Sequence, residues 1–126
     1  MNKPKKQQKI MVVEDDKSSQ RLIGFFLRDK YELCFTESVA GAREKLKREK
    51  IILILLDLSL LGDENGLDLV RFLRGTAKWV NLPIIATTAH AFQSDRAECM
   101  DAGCNGFIAK PISRDNLVRA IKTLIE

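Results

Sequence analysis

A chain of 126 residues, 45% hydrophobic and 30% charged, has the size and composition of a single soluble domain with one core. No apolar run is long enough to span a bilayer, and the basic start Met1-Asn2-Lys3-Pro4-Lys5-Lys6 leads into no apolar segment with a cleavage site, so neither a membrane span nor a signal peptide is expected. The net charge of +4 gathers in Lys3, Lys5, Lys6 and Lys9 and in Arg43, Lys45, Lys47, Arg48 and Lys50. Such runs mark contact with nucleic acid or an acidic partner, or simply a solvated tail and helix face. No aromatic residues interleave with them to stack bases, so direct DNA binding is not expected.

Residues 1–8 read as a basic, flexible tail, and 9–126 as the folded domain. Lys9-Ile10-Met11-Val12-Val13 is a short apolar run, a first strand that ends in Glu14-Asp15-Asp16. Lys17 to Arg28 carries Leu22, Ile23, Phe26 and Leu27 at helical spacing, with Gly24 weakening the helix. Tyr31 to Thr36 is a second strand. Ser38 is a candidate N-cap for a helix marked by Val39, Ala42 and Leu46. The run Ile51-Ile52-Leu53-Ile54-Leu55-Leu56-Asp57 fits a strand buried on both faces and ending in one carboxylate. Gly62 to Gly66 is a loop by composition, and Leu69, Phe72 and Leu73 mark a helix ending near Gly75. Ile84-Ile85-Ala86-Thr87-Thr88 is a fourth strand, Ser94 to Ala102 a helix closed by Gly103, and Gly106-Phe107-Ile108-Ala109 a fifth strand stopped by Lys110-Pro111. Leu117, Ala120, Ile121 and Leu124 stripe the last helix.

Strands alternating with helices give an α/β fold, a doubly wound parallel sheet with right-handed crossovers and helices on both faces. The flavodoxin-like (βα)5 order 2-1-3-4-5 is the common solution at this size. It puts Glu14, Asp15 and Asp57 in one crevice at the carboxyl edge of the sheet, where such folds bind ligands. Crowded carboxylates raise one another's pKa, a cost that a divalent cation removes. An oxygen-only donor set suits Mg²⁺. One histidine, His90, and the cysteines Cys34, Cys99 and Cys104, which have no CxxC spacing, exclude an ordinary zinc site. The cysteines are expected to be reduced and buried, in a cytoplasmic protein.

Thr87-Thr88 and Lys110 end strands four and five at that same edge. A hydroxyl, an ammonium and a metal-binding carboxylate cluster are the groups that phosphoryl transfer needs, because its catalysis is mostly positioning and charge neutralisation. A carboxylate can itself be the nucleophile and form an aspartyl phosphate. The glycine loops of nucleotide-binding folds and the GxSxG elbow are absent. Each residue also has a plain structural reading: Asp15 as a helix N-cap, Asp57 as a turn residue, Thr88 as strand filling, Lys110 as a solvated residue before Pro111.

Val12-Val13-Glu14-Asp15-Asp16, Leu55-Leu56-Asp57-Leu58-Ser59, Ile84 through Ala91 and Ala102 through Pro111 together resemble the receiver domain of two-component response regulators, over the chain from about Lys9 onward. The flavodoxin-like strand order is itself illustrated by a member of that family. The resemblance implies that Asp57 accepts a phosphoryl group from a sensor histidine kinase or a histidine phosphotransfer protein. It implies that Asp15 binds Mg²⁺ directly, Glu14 through water and Ser59 through its backbone carbonyl. Asp16 is an alternative to Asp15, although Val12 and Val13 directly before Glu14 favour Glu14 and Asp15 as the pair. Thr88 is to bond the phosphoryl group, Ala89 to leave room for it, and Lys110 to form the ion pair. Phe107 corresponds to the aromatic that turns inward when the threonine moves. Ser59 and His90 are to flank the attacking water and tune the lifetime of the phosphoryl group. The Lys110-Pro111 bond is expected to be cis. The chain departs from the family in Leu61, where proline is frequent, and in the loop after it, Gly62 to Asn65, which is one residue longer than the family's.

The expected protein is a stand-alone receiver that signals through helix 4, strand 5 and helix 5 to an unidentified downstream protein. It is expected to be a monomer or a phosphorylation-dependent dimer, and to catalyse nothing but its own phosphorylation and dephosphorylation. Two rival readings are a phosphorylation-independent interaction module and a phosphatase of the haloacid dehalogenase type. The latter wants a second Asp where Ser59 stands.

Overall fold

The structure is a computed structural model and describes residues 8–60, 65–89 and 93–126. Most of the basic tail, Leu61 with most of the loop after it, and His90 lie outside the described residues.

Five strands, β1 (Lys9–Val13), β2 (Glu32–Thr36), β3 (Leu53–Asp57), β4 (Ile84–Thr88) and β5 (Gly106–Ala109), alternate with five helices, α1 (Lys17–Leu27), α2 (Val39–Arg48), α3 (Gly66–Arg74), α4 (Gln93–Ala102) and α5 (Arg114–Ile125). Every pairing is parallel and the order is β2-β1-β3-β4-β5, as the alternation of elements implies. β3 begins at Leu53 rather than Ile51, and β2 at Glu32 rather than Tyr31. Gln8 already bonds the sheet, its carbonyl accepting from Glu32 N at 3.1 Å.

The apolar run of β3 is buried at all five positions because both of its faces are covered. Leu53 and Leu55 pack with Ile10, Val12 and Ile85 under α1 and α5. Ile54 and Leu56 pack with Met11, Val13 and Ala86 under α2, α3 and α4. The period-two alternation of the strands thus feeds two cores, and burial on both faces explains why β3 reads as an unbroken apolar run.

Each strand hands over to a helix at its carboxyl edge. Asp16, Ser38, Asn65 and Ser113 cap α1, α2, α3 and α5, each accepting from a backbone N–H three residues on, which satisfies one of the orphan donors of the first turn. Asn65 and Asp68 complete a reciprocal capping box.

A feature with no signature in sequence sits at the other end of α3. The Arg74 guanidinium donates to the carbonyls of Gly103 (2.9 Å), Trp79 (3.2 Å), Val80 (3.1 Å) and Leu82 (2.9 Å) and to Asn105 Oδ1 (2.9 Å). Asn105 Oδ1 also accepts from Ile84 N at 2.9 Å. One side chain therefore ties α3 to a short 3-10 helix (Ala77–Trp79), the start of β4 and the α4–β5 turn. Gly103 has φ of +121°, and a Cβ there would lie 2.7 Å from Arg74 Cγ, so glycine serves both the backbone conformation and the approach of the arginine. Replacing Arg74 with Met leaves several of these acceptors unpaired. It is predicted to lower unfolding free energy by about 2–3 kcal/mol, read as a shift in urea midpoint followed by circular dichroism.

Candidate functional site at the carboxyl edge of the sheet

Register brings the candidate residues together. Val13 pairs with Leu56 and Asp57 with Thr87, while Thr88 pairs with Ala109. The residues that end or follow β1, β3, β4 and β5 are therefore neighbours along one edge. Glu14 N donates to Thr36 O at 2.9 Å and extends the ladder by one residue. Gln20 Nε2, from α1, donates to Glu14 O at 2.6 Å and fixes the turn from the other side.

Glu14, Asp57 and Thr88 are buried and Asp15 is half-buried. One carboxylate oxygen each from Glu14, Asp15 and Asp57 lies within 4.8 Å of the others. Into this cluster reaches Lys110, from the residue after β5. Its Nζ is 2.9 Å from Glu14 Oε1 and 3.2 Å from Asp57 Oδ2. The remaining oxygens accept from the backbone: Glu14 Oε2 from Asp16 N at 3.1 Å and Asp57 Oδ1 from Ser59 N at 2.9 Å. The Lys110-Pro111 bond is cis.

The choice between Asp15 and Asp16 has a physical basis in the turn. Asp16 Oδ2 is occupied by Ser19 N at 2.9 Å and Ser19 Oγ at 2.8 Å. These bonds hold the exposed Asp16 carboxyl below the usual carboxylate range. Asp16 is the N-cap, and Asp15 is the residue in the carboxylate cluster; the pattern Asp-x-x-Ser is the sequence signal for that assignment. Gln20, by contrast, carries no signal short of the folded turn.

Burial pushes the Glu14 carboxyl up, the Lys110 ammonium pulls it back, and Asp57 pushes it up again, for a net rise. Burial pulls the Lys110 ammonium down, but Glu14 and Asp57 outweigh it and its pKa is raised. The donor set fits a hard dication: three carboxylates with no nitrogen or sulfur ligand among them. Asp15, Asp57 and Glu14 are the residues that would hold it.

The other expected site residues flank this cluster. Ser59 is exposed in the turn after β3, and Ala89 is exposed directly after β4. Phe107, in β5, is half-buried against the core under α2, α3 and α4.

Comparison with known proteins decides the family. Residues 10–122 match the family model described as the response regulator receiver domain. The chain belongs to that family. TorR of Escherichia coli K12, a transcriptional regulatory protein of the TorCAD operon, is 36% identical over 117 residues; the receiver covers 92% of its own length in that match and 49% of TorR. It therefore spans about half the length of that curated relative. DivK of Brucella ovis, a polar-differentiation response regulator, is 29% identical with 94% of its length covered. The receiver domain of the sensor histidine kinase PA1611 from Pseudomonas aeruginosa, solved with a magnesium ion coordinated in its active-site cleft, superposes with a TM-score of 0.85. That pair is 34% identical, covering 94% of this chain and 97% of the other. Among the described residues, no helix of this receiver is long and apolar enough to cross a membrane.

The raised Glu14 pKa has a defined sign in stability. A carboxyl whose folded pKa exceeds its unfolded value stabilises the fold below the unfolded pKa, near 4.5, and that contribution is lost as pH climbs through the raised value. In metal-free solution, wild type is predicted to lose urea stability relative to Glu14→Gln as pH rises from about 4.5. Parallel denaturation series of the two proteins across pH check this.

Proposed function

We propose that the receiver takes a phosphoryl group onto Asp57 from a phosphorylated histidine of a sensor kinase or phosphotransfer protein, in a Mg²⁺-dependent reaction. The observation that carries this reading is the Lys110 ammonium set between Glu14 and Asp57 in a buried three-carboxylate cluster. The family match and the magnesium-bound PA1611 relative agree with it. One Asp57 carboxylate oxygen attacks phosphorus, the new P–O bond forms as the P–N bond breaks, and the imidazole keeps the electron pair. Asp57 is prepared for this by its surroundings: Ser59 N–H orients one oxygen and Lys110 the other. After transfer Lys110 pairs with a phosphoryl oxygen, the Thr88 hydroxyl bonds another, and the small Ala89 leaves room beside its backbone N–H. Asp15, Asp57, the Ser59 carbonyl and Glu14 are the groups that would hold Mg²⁺, which would supply charge neutralisation at the transferring group. Ser59 and His90, each two positions beyond an active residue, set how long the aspartyl phosphate survives.

The signal then passes to the face made by α4, β5 and α5. A groove of about 400 Å³ lies there, lined among others by Phe107, Ile108, Arg96 and Arg119. Movement of Thr88 and Lys110 toward the phosphoryl group shifts this face between two populations, with Phe107 turning inward, and a downstream protein reads the change. The receiver acts in the cytoplasm as a monomer or a phosphorylation-dependent dimer, and it turns over no other substrate. A haloacid dehalogenase-type phosphatase would need an Asp in place of Ser59.

Incubation with acetyl phosphate is predicted to add one phosphoryl group to the intact mass, with Mg²⁺ and not in EDTA. Asp57→Asn is predicted to gain none. No adduct with this donor, and none with a phosphorylated histidine donor, would make the chain a phosphorylation-independent interaction module instead.

A further inference from the structure

The amino edge of the sheet carries a second concentration of chemistry that phosphoryl transfer does not use. Between the end of α2, the lead into β3 and the 3-10 helix lies a cleft of about 340 Å³, lined by Lys47, Arg48, Glu49, Lys50, Lys78 and Trp79 among others. It stands at the opposite end of β3 from Asp57. Asp57 lies six positions beyond Ile51, roughly 20 Å of extended chain, so the cleft is not part of the phosphoacceptor site.

Four cations face one carboxylate there, and that carboxylate is already neutralised. Glu49 Oε1 lies 2.8 Å from Lys9 Nζ, a bond that holds the Glu49 carboxyl below its usual range. Among the described residues, Lys47 pairs with Glu44 at 3.7 Å, an exposed contact that solvent screens. Lys45, Lys47 and Arg48 complement the dipole at the end of α2, but that role does not extend to Lys50 or Lys78, which lie outside the helix.

The basic run of α2 has no aromatic neighbour in sequence, but the fold supplies one from another element. Trp79 is braced by Phe72, ring centroids 6.0 Å apart, and the Lys78 ammonium lies 5.3 Å from its ring centroid. An indole beside a cluster of cations is the pairing that recognises a base and its phosphates together, and the volume falls in the range of small-ligand pockets, about 300–1,000 Å³.

We infer that this cleft binds a nucleotide, its base stacked on Trp79 and its phosphates among Lys47, Arg48, Lys50 and Lys78. The same chemistry serves a free nucleoside triphosphate or one unit of a single strand, and the test separates the two.

Trp79 is the one tryptophan of the chain, so its emission reports on the cleft directly. ATP and a short oligothymidylate are titrated separately in EDTA, which keeps metal out of the carboxylate cluster. Inorganic triphosphate and polyglutamate serve as comparison ligands. Saturable quenching by ATP is expected, with affinity about tenfold above that of triphosphate because the base contributes. The exposed pair Lys47→Glu/Lys50→Glu is expected to weaken it at least about tenfold, while the same charge reversal at Lys122, on α5, leaves it unchanged. Tighter binding of oligothymidylate than of ATP, with the same loss in the double variant, supports the site and makes a nucleic acid strand the source. Absence of saturable quenching by either nucleotide ligand overturns the inference. So does triphosphate binding as tightly as ATP, or polyglutamate binding as tightly, which would make the face a docking surface for an acidic protein.

Discussion

The Lys110 ammonium, shared between Glu14 and Asp57, is the interaction on which the carboxyl edge of this molecule depends. It joins residues 96 and 53 positions apart in the chain. It also reaches from the end of β5 past β4 to the ends of β3 and β1. Carboxylates buried this closely repel one another unless a cation stands among them. Lysine fills that place with a single charge, while each carboxylate also keeps a backbone donor. Removing one partner of such a buried pair costs more than the pair contributes, so the contact holds the edge together even though it is not its main source of stability.

The same contact explains how the site can respond. A point charge on a flexible stem can change its oxygen partners without moving the strands that carry them, which the proposed phosphoryl transfer requires. Glu14, one methylene longer than aspartate, reaches Lys110 with one oxygen while the other accepts from Asp16 N. Asp15 brings its carboxylate to the cluster with Glu14 and Asp57, and Asp16 caps the helix. Three consecutive acidic residues serve three distinct ends because the chain turns from strand to helix beneath them.

Much of this was legible in sequence, and for identifiable reasons. The run ending in Asp57 shows a doubly covered strand because no solvated face interrupts it. Alternation of strands and helices then fixes a parallel sheet, and a parallel sheet brings the strand ends to one edge. The family is carried by motifs at four of those ends. Ser38 was readable as a cap because capping is local chemistry. What was not legible depends on contacts distant in sequence. Arg74 looks like an exposed helix residue until the 3-10 turn and the α4–β5 turn bring five acceptors to it. Gln20 is an ordinary helix residue until the turn before it folds back. The basic run of α2 meets aromatic rings through the fold, where Arg43 Cζ lies 4.5 Å from the Phe72 ring centroid and Trp79 lines one cleft with Lys47 and Arg48. β3 begins at Leu53 although apolar character extends back through Ile51 and Ile52, the lead-in residues, of which Ile52 N already donates to Lys9 O.

The most direct test of the account is to locate the phosphoryl group itself. The receiver, phosphorylated with Mg²⁺ by a phosphohistidine donor, is reduced with borohydride, which converts an aspartyl phosphate to homoserine, and its peptides are then mapped. The account predicts homoserine at position 57 and at no other carboxylate of the cluster. Homoserine at position 15 or 16, or a phosphorylated chain with every aspartate intact, would contradict it.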